Sequence, residues 1–389
     1  MRLRFLFAVI AYASAATTAG CVHAAVPAHS QLAPEPVALP DTAPRPKGRR
    51  FYDSRDDGTE LQFNPLSLVL NGGYDQLRTS SEYGREFLTK PYLRSLSTIS
   101  RSLARPDRVV RQYGLSRWLR NEVFPLSLKG DGGGQWYPNY HLHLFAGGMT
   151  YVRISEWWAQ HGAEHPNIDG ALTVYSWHLL TEMIENGGSQ RYDEDGMTDL
   201  MIFDSGSILL WSSDWMQRLF SSRAVQMTDW PGQPAMGLPG KTMENAFMTA
   251  MLRVPLPRAE NWRGITTMGA SFLVGVSRRA DNDYWVSVMG GFDPADNPVL
   301  DPVTGRKTVS LLPNAGVFLD HDGSLLASLI TKGGSTDGPA LNIYPGFVPI
   351  GEVRPGFWVQ QVRAGGLRVG LSTQWGFGIA RNPRKPPAP

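Results

Sequence analysis

Three residues on one stretch of the chain could exchange protons or hold a cation. His178, Glu182 and Glu185 are spaced i, i+4, i+7, which lines them along one face of a helix. His141 and His143 open another apolar segment, and Asp199 and Asp204 lie on a third. Burying an ionised group costs several kcal/mol unless it is paired. In an apolar setting these groups are therefore expected to meet one another. One outcome is general acid–base chemistry on a lipid or other amphiphile, with a carboxylate as base and His as acid or phosphate ligand. The other is structural, with His and carboxylates pairing across three helices to fix their register. The candidate set is His141, His178, Glu182, Glu185 and Asp199. A His–carboxylate metal site is conceivable, but no helix carries the HExxH spacing, so neither metal nor cofactor is expected. There is no GxSxG elbow for a serine hydrolase. The KGDGGG loop at residues 129–134 lacks the Lys-Ser/Thr ending of a phosphate-binding loop.

Positioning such a cluster needs helices. Apolar helical segments are predicted over residues 141–161, 168–186 and 199–211, with Gly162 and Gly187 at helix ends and Thr198 as an N-cap. Residues 88–124 read as two amphipathic helices broken at Pro106, with Arg94, Arg101, Arg105, Arg108, Arg111, Arg117 and Arg120 on their polar faces. Such a face can sit at lipid phosphates or simply be solvated.

The strings NYHLHLFAGGMTY, HLLTEMIENG and GMTDLMIFDSGSILL resemble a pattern of small bacterial membrane-associated families of unknown function, VanZ-like proteins among them. His141, Glu182 or Glu185, Asp199 and Gly206 match it across roughly residues 135–212. Asp204 is an acid that the pattern does not require. The resemblance implies a helical trio followed by a β-rich half, and little about chemistry.

After about residue 241, short alternating runs replace the helices. Eight are predicted, at 245–254, 265–278, 283–292, 314–320, 324–332, 341–350, 356–363 and 367–380, with Asp322-Gly323 and Gly365-Gly366 as hairpin turns. In the last run Leu367, Val369, Leu371, Thr373, Trp375, Phe377 and Ile379 share one face, and Arg368, Gly370, Ser372, Gln374, Gly376, Gly378 and Ala380 share the other. A wet face should carry Lys, Glu and Asp. This one is mostly small and uncharged, which suits the inside of a small barrel whose large residues face lipid. The fold expected is α+β: three apolar helices in an N-terminal helical region, then an antiparallel, eight-stranded β-barrel. A soluble β-domain with the large residues as its core is the alternative. The RNPRKPPAP ending, which is not aromatic, argues against the barrel.

The first residues address the chain. Arg2 and Arg4 precede an apolar run over residues 5–16, too short to span a membrane and typical of a secretory signal. TAGC, ending at Cys21, resembles a lipobox, and cleavage after Ala24 is the competing site. Cys21 is the only cysteine, so the mature chain has no free thiol and no disulfide either way. The organisation expected is a signal with lipobox over 1–21, a Pro/Ala-rich linker over 22–60, a helical domain over 61–240 and a barrel-like domain over 241–389. A net charge of +2 gives no case for nucleic acid. Twelve tryptophans suit a membrane interface or a core equally. The expected function is that of a lipid-anchored outer-membrane protein with a structural, lipid-binding or transport-accessory role and membrane lipids as partners. A lipid-modifying enzyme and a soluble periplasmic lipoprotein are the alternatives.

Overall fold

The computed structural model describes residues 50–79, 85–125, 137–222, 225–300, 307–332, 337–350, 352–363 and 365–383. The signal, Cys21, most of the linker and the KGDGGG loop lie outside the described residues.

Helices form where caps and apolar spacing agree. Helix α1 (Pro65–Gly73) starts with Pro at its first turn and Asn64 as N-cap, whose Oδ1 accepts from Ser67 N at 2.9 Å. Helices α2 (Tyr92–Ala104) and α3 (Pro106–Tyr113) follow, separated at Pro106 as expected. All seven arginines of this pair and its continuation are exposed. A π-helical segment (Tyr137–Gly147) runs into α4 (Gly148–Gln160), and α5 (Pro166–Glu185) packs against α4 and meets the π-helical segment where the His178 and His143 rings touch. Helix α6 (Glu194–Thr198) continues through a second π-helical segment (Asp199–Asp204) into α7 (Ser205–Trp211), and α8 (Asp214–Phe220) closes the layer. No helix among the described residues is long and apolar enough to cross a membrane.

The layer is tight where aromatic rings meet glycine. A Cβ on Gly148 would stand 2.1 Å from the Trp211 ring, which is fully buried. Gly148→Ala must displace that ring, so it is expected to lower stability by about 1–3 kcal/mol, read from the urea midpoint.

The sheet corrects the expected barrel. Thirteen strands form one sheet in the order β1-β4-β5-β6-β7-β8-β9-β10-β11-β12-β13-β2-β3. The early strands are β1 (Gln226–Asp229), β2 (Ala235–Leu238) and β3 (Thr242–Glu244), followed by β4 (Thr249–Pro255), β5 (Trp262–Gly269), β6 (Phe272–Arg279) and β7 (Tyr284–Leu300). The remainder are β8 (Lys307–His321), β9 (Ser324–Lys332), β10 (Asp337–Ile343), β11 (Gly356–Val362), β12 (Leu367–Ser372) and β13 (Gly378–Arg381). The chain is α+β overall, but the sheet is neither eight-stranded, nor wholly antiparallel, nor closed. Strands β13 and β2 pair in parallel, and the order ends at β1 and β3. The sheet also begins at Gln226, inside the region expected to be helical.

Two of the eight expected runs are hairpins. Thr266 pairs with Val274, and Leu371 with Ile379. Cross-strand partners share a face, and each pair is an even number of residues apart. The alternation therefore keeps its phase through the turn, and each hairpin reads as one long strand.

The sheet curls. Arg253 of β4 reaches Asp320 of β8 at 2.5 Å across its concave side, although three strands separate them in the sheet order. Helices cover the convex side only toward the two ends of the order. There Met227, Ala250, Leu252 and Met268 at one end, and Met236 and Met243 at the other, join the helical core. Between those ends the concave face is mixed: Ser277, Ser287, Asn314, Asp320, Ser328, Asn342, Gln360, Arg368 and Ser372 are buried there, interleaved with buried Met251, Ile265, Leu273, Met289, Phe318, Ile330 and Trp358. The convex face carries aliphatics and is bare. Leu371 and Trp375 are 53% and 58% exposed, while Arg368, Gly370 and Ser372 point inward. Register aligns these aliphatics. Val254, Gly264, Val276, Val288, Val317, Leu329, Leu341, Val359 and Val369 stand side by side across nine strands with no charged residue among them. The next row runs from Arg278 through Val286, Leu319, Ala327, Ile343, Phe357 and Leu371 to Ile379.

Candidate functional site

The polar cluster is assembled by α5 and the two π-helical segments. Helix α5 places His178 and Glu182 inward, one turn apart, both buried. The segment Asp199–Asp204 brings in its two end residues. Five positions along an α-helix leave side chains about 140° apart. In a π-helix, with i→i+5 hydrogen bonds, residues five apart stack, so Asp199 and Asp204 face the same way. The segment Tyr137–Gly147 supplies His143. π-Helical turns are uncommon and concentrate at functional sites.

Asp204 is the hub. Its Oδ1 lies 2.9 Å from His143 Nδ1 and 2.6 Å from His178 Nδ1. The His143 contact has hydrogen-bond geometry. The His178 nitrogen is close but poorly aligned, and it has no hydrogen-bond partner. On its other side, His143 Nε2 faces Asp199 Oδ2 at 3.6 Å. Glu182 joins this group: one ligand-type atom each from His143, Glu182 and Asp199 lie within 4.8 Å of one another. Asp199 Oδ1 and Asp204 Oδ2 are buried without hydrogen-bond partners.

Burial and mutual charge set the protonation states. For Asp204, burial would raise the pKa, but the two histidines outweigh it and hold the carboxyl at about 2. For His143, burial would lower the pKa, but Asp199 and Asp204 raise it to about 9. His178 is pushed down by burial despite Asp204. Asp199 is raised to about 7 by burial, with His143 opposing and Asp204 adding. Glu182 and Asp195 are raised well above the usual carboxylate range, first by burial and then by neighbouring acids, Glu185 and Asp199 among them.

Of the sequence candidates, His178, Glu182 and Asp199 come together, and half-buried Glu185 acts on the cluster through its charge. His141 is placed elsewhere. It stacks on Tyr137 with ring centroids 5.4 Å apart, and Tyr137 bonds to Gly269 at the end of β5. His143 takes the position expected of His141, and Asp204 is central although the family pattern has no place for it. Two histidines two residues apart give equal sequence signals. The one available clue is Gly147, four residues past His143, where a Cβ would stand 3.1 Å from the His178 ring. Gly196 makes similar room, since a Cβ there would meet Glu182 Oε2 at 2.7 Å.

A second buried ionic set ties the helices to the sheet. Arg153 of α4, fully buried, contacts Glu60 Oε1 at 2.6 Å and Asp229 Oδ2 of β1 at 3.3 Å, and its guanidinium lies 3.9 Å from the centroid of the Phe63 ring. Within this set the two terminal guanidinium nitrogens of Arg153 are engaged, while its Nε is buried without a hydrogen-bond partner. Compared with protein-family models, curated proteins and solved structures, the chain matches none.

Proposed function

We propose that this chain is a bacterial envelope protein that lays the convex face of its sheet on membrane hydrocarbon, at the outer membrane, in a structural or lipid-binding role. One observation carries the reading: the exposed charge-free row across nine strands, eight aliphatics and Gly264, on the outer face of a sheet whose inner face holds a mixed polar and apolar core. Exposed apolar patches beyond a few hundred Å² mark contact surfaces. This one bends round a curled sheet, which a fluid hydrocarbon can follow more easily than a rigid partner. Arg278 lies over the Trp262 ring at 5.8 Å beside the row, a pairing suited to a headgroup boundary. Helices α2 and α3 and their continuation add exposed arginines alongside exposed Leu93, Leu115 and Leu119, the composition of an interfacial helix. The N-terminal stretch read as an export signal, Arg2 and Arg4 before a short apolar run, supports this address.

The test is flotation of the Cys21→Ala chain with phosphatidylethanolamine–phosphatidylglycerol vesicles, so that no acyl anchor contributes. The chain is expected to float, and the double substitution Val288→Lys, Val317→Lys is expected to prevent it. Each lysine costs about 2–4 kcal/mol at mid-bilayer depth, and neither touches the buried face. A chain that stays monodisperse in buffer and does not float would refute the reading. Lipid modification at the cluster is the second reading, favoured by Asp199, which burial raises to about 7, beside His143, which its acid neighbours hold protonated up to about 9. It requires that Asp199→Ala fold normally and change the lipid profile of the envelope.

A further inference from the structure

We propose that His143, Glu182 and Asp199 form a binding site for one divalent first-row transition-metal ion, with Asp204 as the carboxylate that orients His143. This goes beyond lipid contact and does not depend on it.

The hydrogen bond to Asp204 fixes the His143 ring. With Nδ1–H donating to Asp204, Nε2 is the ring atom that faces Asp199, and Glu182 offers a ligand atom to the same group. Two buried acids side by side are in conflict unless a cation lies between them, and a divalent ion that displaces the Nε2 proton can take that place. A carboxylate–histidine–metal relay removes the conflict, because the outer carboxylate sets the tautomer while the far nitrogen binds the ion. The spacing fits. Two ligands at ordinary zinc bond lengths in tetrahedral geometry stand about 3.4 Å apart, and His143 Nε2 and Asp199 Oδ2 are 3.6 Å apart.

An acidic cluster alone would not carry this. The independent observation is Asp199 Oδ1, an oxygen on a 5% exposed residue with no hydrogen-bond partner, carried by the carboxylate that faces Nε2. The other possible trio, His143, His178 and Asp204, is less suitable. There Asp204 Oδ1 already lies at 2.9 and 2.6 Å from both imidazoles, which leaves no room for an ion between them. One nitrogen and two carboxylates suit zinc, manganese or iron(II) better than calcium or magnesium, which take oxygen ligands. Three protein ligands leave a coordination position for water or substrate.

The test uses the full purified chain, stripped with chelator and dialysed. Zinc is titrated by calorimetry and cobalt(II) by its visible d–d absorption. One equivalent is expected to bind, with a cobalt band that zinc displaces. His143→Gln and Asp199→Asn are expected to abolish the band. Asp204→Asn, which disturbs only ring orientation, is expected to weaken binding about 10–100-fold. Failure of the wild-type chain to take up either ion would overturn the site, whatever the variants do. So would equal uptake by a His143→Gln chain with wild-type circular dichroism, which would place the ion elsewhere.

Discussion

Arg153→Ala is expected to destabilise the chain by about 3–5 kcal/mol, the range for removing one member of a buried charge set. The guanidinium is fully buried, and removing it strands Glu60 and Asp229 on either side of the helix–sheet boundary. Both acids already have raised pKa values, because burial outweighs the attraction of Arg153. Without Arg153 they rise further. The variant should therefore be worst at neutral and alkaline pH and recover part of its loss on acidification, when both acids protonate. Chemical denaturation at pH 7.5 and pH 5 checks this, pH values that are about conventional for such work. An equal loss at both pH values would mean that lost packing against Phe63, rather than stranded charge, dominates. Arg153→Met separates the two further, since it keeps the stem and drops the charge.

Asp199→Asn is expected to act in the opposite direction in chelator-treated protein. An unfolded aspartate titrates near 3.8, and Asp199 in the folded chain titrates at about 7. Between those values the folded state holds a proton that the unfolded state has released, so stability falls as pH rises through this window and the loss is complete above about 7. Asparagine cannot ionise and escapes that loss. The variant should match the wild-type chain at about pH 4 and exceed it by roughly 2–4 kcal/mol at about pH 8. His143 works the other way: its contribution is fully present below about 6.5 and disappears as pH rises through about 9. Asp204 contributes above 3.8, and its share is lost as pH falls through about 2. Thermal melts across this range, in chelator, test the three together. A variant no more stable than wild type at the alkaline end would mean that Asp199 is not ionised there at a cost. The substitution that stabilises the stripped chain is also the one expected to lose the metal, the usual conflict between a strained site and a stable fold.

Much of the helical layer was legible in the sequence, because Pro106, Gly162 and Gly187 are local signals and mark helix ends. The acid–base cluster was legible as a set of residue types but not as a geometry. The reading assumed α-helices, and the π-helical turns decide that His143 rather than His141 enters and that Asp199 and Asp204 face together. No residue-level propensity announces a π-turn, which arises from packing between helices. In the sheet, the facing of side chains was legible, since period 2 reports faces directly. Strand number and closure were not. Even spacing across the turns hid two hairpins. The parallel pairing of β2 with β13 joins segments far apart in the chain, and β1 and β2 lie inside the range assigned to the helical domain.

That parallel pairing bears on how the molecule is made. Ala235 has one partner in Glu244 and the other in Gly378, so β2 can pair with β3 early but waits for β13, more than a hundred residues later, on its other side. Folding as the chain emerges would leave the β2–β3 hairpin without a neighbour on that side, and truncation ahead of β13 would remove the strand that closes this seam.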